Sequence, residues 1–281
     1  MVTGATQLVG IIGNPVAHSL SPAMHNAAFQ SLGMDWLYVP LPVAPHNLAE
    51  AIRGLPALGF RAVNVTVPYK ERVVPFLDKV SADASAIGAV NTITVRSDGS
   101  LTGENTDWAG FLCHLKEIGF DPSGCTAVIL GSGGSARAVA YALVSNGAKV
   151  AVCSRNAETA GAIVERLTKP GLKGFIETWT LQRLQELDHD VDLIVNTTPL
   201  GMAPRIDYSP WPEGTSFPKC RMVYDLVYNP SRTRFMEQAH DAGVEATNGL
   251  GMLVHQAAIA FSLWTDKPAP LAVMKQAVAL C

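Results

Sequence analysis

The chain has 281 residues, 48% of them hydrophobic and 16% charged, which is enough to bury a large core and to form about two domains. Its net charge of −3, with lysines and arginines scattered singly, argues against nucleic acid or an anionic membrane as a partner. No apolar run approaches the roughly 18 residues that cross a bilayer, and the first residues lack a secretory pattern, so we expect a cytoplasmic protein.

Strand and helix patterns alternate in the first half of the chain. Strands are predicted at residues 7–12, 36–43 and 62–67, and helices at residues 22–32, 48–58 and 68–80. This alternation predicts a parallel sheet covered by helices. A short hairpin follows, formed by residues 89–95 and 100–103, and then a helix at residues 107–118.

A second alternation begins after a break at residues 121–124. Its strands are predicted at residues 126–130, 149–153, 174–177, 193–196 and 223–226. Its helices are predicted at residues 135–145, 157–167, 181–187 and 232–242, and two more helices end the chain at residues 250–264 and 270–279. The sequence therefore predicts two α/β halves.

Lys70 stands where chemistry, more than packing, would place a lysine. Pro68 suits the first turn of a helix, and Thr66 can cap that helix. Lys70 would then lie near the positive end of the helix dipole, where a cation is disfavoured and proton exchange is favoured. Taken alone, a lysine at such a position can also be a solvated charge.

The segment Gly131-Ser132-Gly133-Gly134-Ser135-Ala136 lies between a predicted strand and a predicted helix and fits the pattern GxGxxA. The first glycine permits a tight turn, the second lets the backbone approach a pyrophosphate, and the alanine allows close helix–strand packing. The helix N-terminus offers N–H groups to the anion. The pattern predicts a dinucleotide site, because a glycine turn needed only for packing does not explain three glycines in four positions.

The end of the next predicted strand indicates which dinucleotide binds. An NAD enzyme carries Asp or Glu there for the ribose hydroxyls, whereas this chain has Ser154-Arg155-Asn156. Arg155 can pair with a 2′-phosphate and stack on adenine, and its two neighbours can hydrogen-bond to the phosphate. NADP is therefore favoured over NAD.

Polar residues cluster at element ends in the first half, where an open parallel sheet binds its ligands. Ser19 and Ser21 precede a helix that opens with Pro22, so their hydroxyls and nearby N–H groups can receive a carboxylate, although Ser21 can also be an N-cap. The other polar residues at such ends are Asn64, Thr66, Lys70, Asn91 and Asp107. Asp107 alone would also suit an N-cap.

Together these segments resemble the shikimate dehydrogenase family. The matching motifs, in the family's order from about residue 12 to residue 258, are GNPVAHSLSPAMHN, NVTVPYK, GAVNT, GENTDW, GSGGSARA, VNTTPLGM, DLVYNP and GLGMLVHQA. Eight ordered matches form a stronger signal than any single motif. The resemblance implies an oxidoreductase of aromatic amino acid biosynthesis that reversibly reduces 3-dehydroshikimate to shikimate with NADP.

The resemblance also implies roles for individual residues. Ser19 and Ser21 would hold the substrate carboxylate, and Lys70 and Asp107 would form the catalytic pair. The residues implied around the ring hydroxyls are Asn64, Thr66, Asn91, Tyr228 and Gln256. Those implied to contact the cofactor are Gly131, Ser132, Gly133, Gly134, Ser135, Ser154, Arg155, Asn156, Thr159, Thr198, Leu226, Gly249 and Met252. The family commonly has Asn-Arg-Thr where this chain has Ser-Arg-Asn, and because the arginine is kept, NADP is still expected.

The expected fold class is α/β with two domains. A substrate-binding domain with a mainly parallel sheet would use residues 1–106 and 249–281, and a Rossmann-like NADP-binding domain would use residues 107–248. The five widely spaced cysteines and the seven histidines show no disulfide or metal-ligand pattern, so we expect no metal. A small-molecule substrate and a monomer or homodimer are expected.

Three alternatives remain open. The first is a quinate or dual quinate/shikimate dehydrogenase using NAD, which shares the scaffold. The second is another two-domain dehydrogenase with a catalytic lysine, such as a methylenetetrahydrofolate type, which the two HSLSP serines disfavour. The third is a non-catalytic nucleotide-sensing module, which would need neither Lys70 nor Asp107.

Overall fold

The structure, a computed structural model, describes residues 2–168, 171–185, 187 and 191–279. The chain forms two compact units, Met1–Gly110 with Leu253–Cys281 and Phe111–Met252. Each unit contains its own sheet flanked by helices, which confirms the predicted α/β class. The predicted domain limits stay predictions. The chain passes from one compact unit to the other after Gly110 and after Met252, a few residues later than the predicted limits, so Asp107 belongs to the first unit.

The first unit contains a mixed sheet. Its strands are β1 (Gln7–Gly13), β2 (Trp36–Pro42), β3 (Phe60–Val65), β4 (Lys79–Val80), β5 (Thr92–Val95) and β6 (Leu101–Glu104). They lie in the order β2-β1-β3-β5-β6-β4. Strands β1, β2 and β3 are parallel, whereas β5 is antiparallel to β3 and also to β6, to which the predicted hairpin connects it.

The helices of this unit are α1 (Ser21–Ser31), α2 (Leu48–Gly54), α3 (Ala82–Ile87) and α10 (Leu271–Ala279). Pro22 occupies the first turn of α1, as the sequence predicts. An apolar cluster that includes Ile52, Val63 and Ile93 is buried against the sheet. Burial of each such side chain contributes about 1.5–3 kcal/mol to stability. The cluster therefore holds β3 and β5 in place, and with them Asn64 near the end of β3 and Asn91 just before β5.

The predicted helix at residues 68–80 was wrong. Residues 66–69 instead form a tight turn with a cis Val67–Pro68 peptide, closed by a hydrogen bond from Tyr69 N–H to the carbonyl of Thr66 at 2.9 Å. The carbonyl of Lys70 accepts a hydrogen bond from Val90 N–H at 2.7 Å. The backbone at Lys70 thus pairs with a distant segment, and in place of one α-helix the rest of the stretch forms a short 3-10 helix at Val74–Phe76 and strand β4.

The helix that the sequence reading missed begins later, after β4. Ser81 caps α3 by accepting a hydrogen bond from Ala84 N–H, and Gly88 ends it with a φ of +73°. These are ordinary start and stop signals. The overlooked α3 therefore lies between the turn containing Lys70 and the strand that follows Asn91.

The second unit contains a parallel sheet. Its strands are β7 (Thr126–Leu130), β8 (Lys149–Cys153), β9 (Phe175–Trp179), β10 (Val191–Asn196), β11 (Cys220–Asp225) and β12 (Ala246–Asn248). The order is β12-β11-β10-β7-β8-β9, and each pair is parallel. This is the 3-2-1-4-5-6 order of dinucleotide-binding folds, in which the ligand lies where the order reverses, here between β7 and β10.

The helices of the second unit are α5 (Gly134–Ser145), α6 (Ala157–Leu167), α7 (Leu181–Gln185) and α8 (Arg234–Asp241). Two further helices, α4 (Asp107–Glu117) and α9 (Leu250–Thr265), contain the two points at which the chain changes unit. In the described part of the chain, no helix is both long and apolar enough to cross a membrane.

Candidate active site and cofactor site

Lys70 and Asp107 form an ion pair in the first unit. The Lys70 Nζ lies 2.7 Å from the Asp107 Oδ2, and the side chains are only 13% and 6% exposed. Lys70 is in the turn after β3, so the argument from a helix dipole does not apply to it. The electrostatic partner of the ammonium is the carboxylate of Asp107, at the start of α4. Such a buried pair is stable only if further hydrogen bonds satisfy both groups.

Asn91 supplies those hydrogen bonds to Asp107. Its Nδ2 donates to the Asp107 Oδ1 at 2.9 Å and to the Thr106 Oγ1 at 2.9 Å. Its Oδ1 accepts from Thr106 N–H at 2.7 Å, which locks the amide orientation. The two carboxylate oxygens of Asp107 are therefore held from two sides, by Lys70 and by Asn91.

Gln256 of α9 joins the same network. Its Oε1 lies 3.3 Å from both the Asn91 Nδ2 and the Thr106 Oγ1. A Cβ added to Gly110 would lie 2.6 Å from the Gln256 backbone nitrogen, so glycine is required for this approach of α4 to α9. The close approach places the Gln256 amide at the start of α4.

A second group of hydrogen bonds leads from Asn91 to Tyr38. The Asn64 Nδ2 donates to the carbonyl of Asn91 at 3.2 Å and to the Thr92 Oγ1 at 3.1 Å. The Tyr38 phenol donates to the Asn64 Oδ1 at 2.8 Å. Asn64, Asn91 and Gln256 are thus connected to the Lys70–Asp107 pair.

Sequence reasoning did not single out Tyr38, Thr92 or Thr106, which connect the predicted residues. A tyrosine within a strand whose side chain is buried needs a partner for its hydroxyl, and this was the available signal for Tyr38. The two threonines carried no such signal, because their partners are distant in sequence.

The other predicted substrate residues lie as follows. The Ser19 Oγ accepts a weak hydrogen bond from Ser21 N–H at 3.3 Å. Thr66 is half-buried in the turn after β3, and its methyl faces Gly13. Tyr228 belongs to the second unit, follows β11, and has its pKa raised by burial. The substrate contacts of these residues stay predictions.

The glycine loop of the second unit follows β7. Gly131 has a φ of +118°, and a Cβ there would lie 2.5 Å from the Thr197 Oγ1, so both conformation and space require glycine. Gly133 precedes α5 with an ordinary φ of −83°, yet no described atom lies within 4 Å of a Cβ built on it. The helix N-terminus therefore faces open space of the kind that a pyrophosphate fills.

Hydrogen bonds tie this loop to the connection between β8 and α6. The Ser132 Oγ lies 2.9 Å from the Ser154 Oγ and 2.6 Å from the Thr159 Oγ1. Asn156 caps α6 by accepting from Thr159 N–H at 3.2 Å. Arg155 is exposed at this connection, which carries no carboxylate at residues 153–156. These residues fit the additional phosphate of NADP.

Asp225 organises the two loops beyond β10 and β11. Its carboxylate accepts from the Asn196 Nδ2 at 2.8 Å, from Val227 N–H at 3.0 Å and from the Thr233 hydroxyl at 2.6 Å. Asn196 in turn accepts from both N–H and Oγ1 of Thr198. Burial raises the pKa of Asp225 to about 6, although the three hydrogen bonds act in the opposite direction. Thr198 is thereby held at the point where the strand order reverses.

The remaining predicted cofactor residues also belong to the second unit. A Cβ on Gly249 would lie 2.1 Å from the carbonyl oxygen of Leu226, so glycine lets the chain pass closely over that residue. Met252 is buried at the start of α9. Their cofactor contacts, like those of the glycine loop, stay predictions.

Comparison with known proteins agrees with this architecture. The family model for the shikimate dehydrogenase substrate binding domain matches residues 11–93, and the model for the shikimate 5'-dehydrogenase C-terminal domain matches residues 249–279. Shikimate dehydrogenase (NADP(+)) of Moorella thermoacetica is 47% identical, over 97% of this chain and 92% of the relative.

Two solved structures are similar over almost the whole chain. Shikimate 5-dehydrogenase from Listeria monocytogenes, in complex with shikimate and NAD, has a TM-score of 0.88 at 34% identity and covers 99% of this chain and 98% of that one. Shikimate 5-dehydrogenase from Thermus thermophilus, in complex with NADP(H) and shikimate, has a TM-score of 0.86 at 37% identity, with 98% and 99% covered. The chain belongs to the shikimate dehydrogenase family.

Proposed function

We propose that this protein catalyses the reversible, NADP-dependent reduction of 3-dehydroshikimate to shikimate, a step of aromatic amino acid biosynthesis. The observation that carries the proposal is the 2.7 Å contact between the Lys70 Nζ and the Asp107 Oδ2 within a buried polar network. Membership of the family supports the substrate. Arg155, in place of an acid after β8, supports NADP.

The chemistry follows from the charge that develops on the substrate. NADPH, when bound, supplies the hydride. The former carbonyl oxygen then carries negative charge, which the Lys70 ammonium stabilises or neutralises by giving a proton. Asp107 holds the ammonium and accepts a hydrogen bond from the neighbouring hydroxyl. Asn91 prevents the carboxylate from rotating, because it is bonded to the other oxygen.

Binding of the substrate is assigned to the polar residues around this pair. Ser19 and Ser21 would donate to the carboxylate at one end. The residues proposed for the ring hydroxyls are Asn64, Thr66, Asn91, Tyr228 and Gln256. The hydrogen bonds that connect Asn64 and Asn91 to Asp107 support a single site for the ring hydroxyls and the catalytic pair.

The cofactor would bind to the second unit. The proposed contacts are Gly131, Ser132, Gly133, Gly134, Ser135, Ser154, Arg155, Asn156, Thr159, Thr198, Leu226, Gly249 and Met252. We assign the substrate-binding domain to residues 1–106 with 249–281 and the NADP-binding domain to residues 107–248. A monomer or homodimer in the cytoplasm is the proposed form.

The catalytic pair is tested by replacing Lys70 with alanine. We expect kcat for shikimate oxidation to fall by about 10²–10⁴-fold, the usual contribution of a positioned acid or base. The KM for NADP should stay within about twofold, since the cofactor loop is untouched. Lys79→Ala, which removes an exposed lysine of the same unit, is the matched control and should retain activity. Normal turnover of Lys70→Ala would remove this lysine from the mechanism.

The alternatives are separated by one spectrophotometric assay. Absorbance of the reduced cofactor is followed with shikimate or quinate and with NADP or NAD, in all four combinations. We expect shikimate with NADP to give the highest kcat/KM, and Arg155→Ala to reduce the preference for NADP. Highest activity with quinate and NAD would establish the dual or quinate enzyme. NADP binding without turnover of either substrate would indicate a nucleotide-sensing module.

A further inference from the structure

Tyr38 holds one of the residues of the proposed substrate site, although no substrate contact is assigned to it. Its side chain is 1% exposed. The phenol donates to the Asn64 Oδ1 at 2.8 Å. Asn64 belongs to the proposed ring-hydroxyl end, and its Nδ2 donates to the carbonyl of Asn91 and to the Thr92 Oγ1. The Asn64 amide is therefore held from both sides.

The backbone of Tyr38 is held in register from the open side of the sheet. Strand β2 is the edge strand of the first sheet. The Asn26 side chain of α1 takes the place of a further strand there: its Oδ1 accepts from Tyr38 N–H at 2.8 Å, and its Nδ2 donates to the Tyr38 carbonyl at 3.0 Å. These two bonds, with the pairing to β1, prevent Tyr38 from sliding along the strand direction.

The ring of Tyr38 is held by aromatic packing. His25 stacks on it with a centroid separation of 4.5 Å and an interplanar angle of 5°, and Trp264 lies 6.2 Å away. Neither ring nitrogen of His25 has a hydrogen-bond partner among the described residues, and burial lowers its pKa to about 3. His25 therefore acts as a neutral flat surface that fixes the direction of the Tyr38 hydroxyl.

We propose that Tyr38 is a positioning residue, which fixes the orientation of the Asn64 amide and thereby sets the affinity of the site for its substrate. The inference rests on the proposed function. Without the phenol hydroxyl, the Asn64 Oδ1 loses its donor. The amide then adopts orientations that do not match the substrate.

The expected effect is on binding more than on the chemical step. The phenol donates its hydrogen bond to Asn64, while Lys70 is held by Asp107. Tyr38→Phe should raise the KM for shikimate about tenfold, as expected for loss of one neutral hydrogen bond that leaves a buried acceptor unpaired. The kcat should remain within about threefold, and the KM for NADP should not change.

A double-mutant cycle distinguishes positioning from a general loss of structure. If Tyr38 acts through Asn64, then Tyr38→Phe should raise KM by no more than about twofold in an Asn64→Ala background. Tyr224→Phe is the matched control: it removes another buried, hydrogen-bonded phenol, bonded to His114, but in the second unit. It should leave the KM for shikimate unchanged.

The outcomes separate the inference from the proposed function. A wild type that does not oxidise shikimate refutes the proposed function and this inference with it. An active wild type refutes only the inference if Tyr38→Phe leaves KM unchanged, lowers kcat alone, or adds fully to Asn64→Ala. If Tyr38→Phe does not fold, Asn26→Ala, which releases the backbone of Tyr38, provides the second variant. It should raise the KM for shikimate at retained kcat, and an unchanged KM refutes the inference.

Discussion

Acidification should destabilise the first unit through His25. This imidazole is fully buried, and burial lowers its pKa from 6.5 to about 3. Between those values the unfolded chain binds a proton that the folded protein does not. The contribution of His25 to stability is therefore present above pH 6.5 and is lost as the pH falls from 6.5 toward 3.

The size of the effect follows from the width of this window. One pH unit within it changes the free energy of unfolding by about 1.4 kcal/mol. At pH 5 the protein is about 1.5 units below the ordinary pKa, so His25 should cost about 2 kcal/mol of stability relative to pH 8. For a domain with marginal stability, this is a substantial fraction of the total.

The assay compares wild type with His25→Phe by urea unfolding at pH 8 and at pH 5. Phenylalanine keeps an aromatic ring against Tyr38 but cannot take up a proton. Other titrating groups cancel in the comparison, so the wild type should lose about 2 kcal/mol more than the variant. Two units can unfold in separate steps, so the transition that includes the first unit is fitted. Equal losses of unfolding free energy in wild type and His25→Phe would refute the reasoning. The control is His240→Gln, which removes an exposed imidazole and should lose as much unfolding free energy between pH 8 and pH 5 as the wild type does.

Three further variants and one control variant test the geometry of the two sites. Gly133→Ala should raise the KM for NADP at least tenfold with little change in thermal stability, because its Cβ would occupy the space proposed for the pyrophosphate. The control is Gly161→Ala on α6, where a Cβ also meets open space. It should raise the free energy of unfolding by about 0.5–1 kcal/mol and leave the KM for NADP unchanged. Gly110→Ala should lower the free energy of unfolding by about 1–3 kcal/mol and raise the KM for shikimate, because its Cβ would displace Gln256. Asp225→Asn should lower the free energy of unfolding, because the amide nitrogen that replaces a carboxylate oxygen would face hydrogen-bond donors. Burial raises the pKa of Asp225 to about 6, so the stability that the wild type gains by protonating this residue is lost as the pH rises through 6. The difference in free energy of unfolding between wild type and Asp225→Asn, measured with urea, should therefore be about 2 kcal/mol larger at pH 4 than at pH 7. An unchanged KM for NADP in Gly133→Ala, an unchanged KM for shikimate in Gly110→Ala, or an unchanged free energy of unfolding in Asp225→Asn would contradict the corresponding contact.

Much of the second unit could be predicted from local signals. The observed bounds of β7, β8 and α6 coincide with the predicted ones, because buried apolar runs are bounded there by glycines and a capping asparagine. The switch point between β7 and β10 follows from the order of such elements. Strand β12 was not predicted, since three half-buried residues carry too little periodicity.

The segment after β3 could not be predicted in the same way. Pro68 suits both the first turn of a helix and a tight turn, and the local pattern of valines and charges does not distinguish them. The hydrogen bond from Val90 N–H to the Lys70 carbonyl decides the outcome, and it joins residues far apart in sequence. Lys70 nevertheless lies next to Asp107, because the placement of both depends on strand and helix ends, which the sequence did indicate.

The identity of each hydrogen-bond partner in the site is the part that sequence cannot supply. A buried lysine and carboxylate lose hydration, and their mutual attraction compensates only when the geometry is good and the remaining lone pairs are satisfied. In this protein, Asn91 meets that condition for Asp107 and is itself held by Thr106 and Gln256, which come from two other segments. Removal of Asn91 would leave one carboxylate oxygen without its donor and free to rotate. The orientation of the catalytic pair is therefore a property of the whole network, and it exists only once these separate segments have packed together.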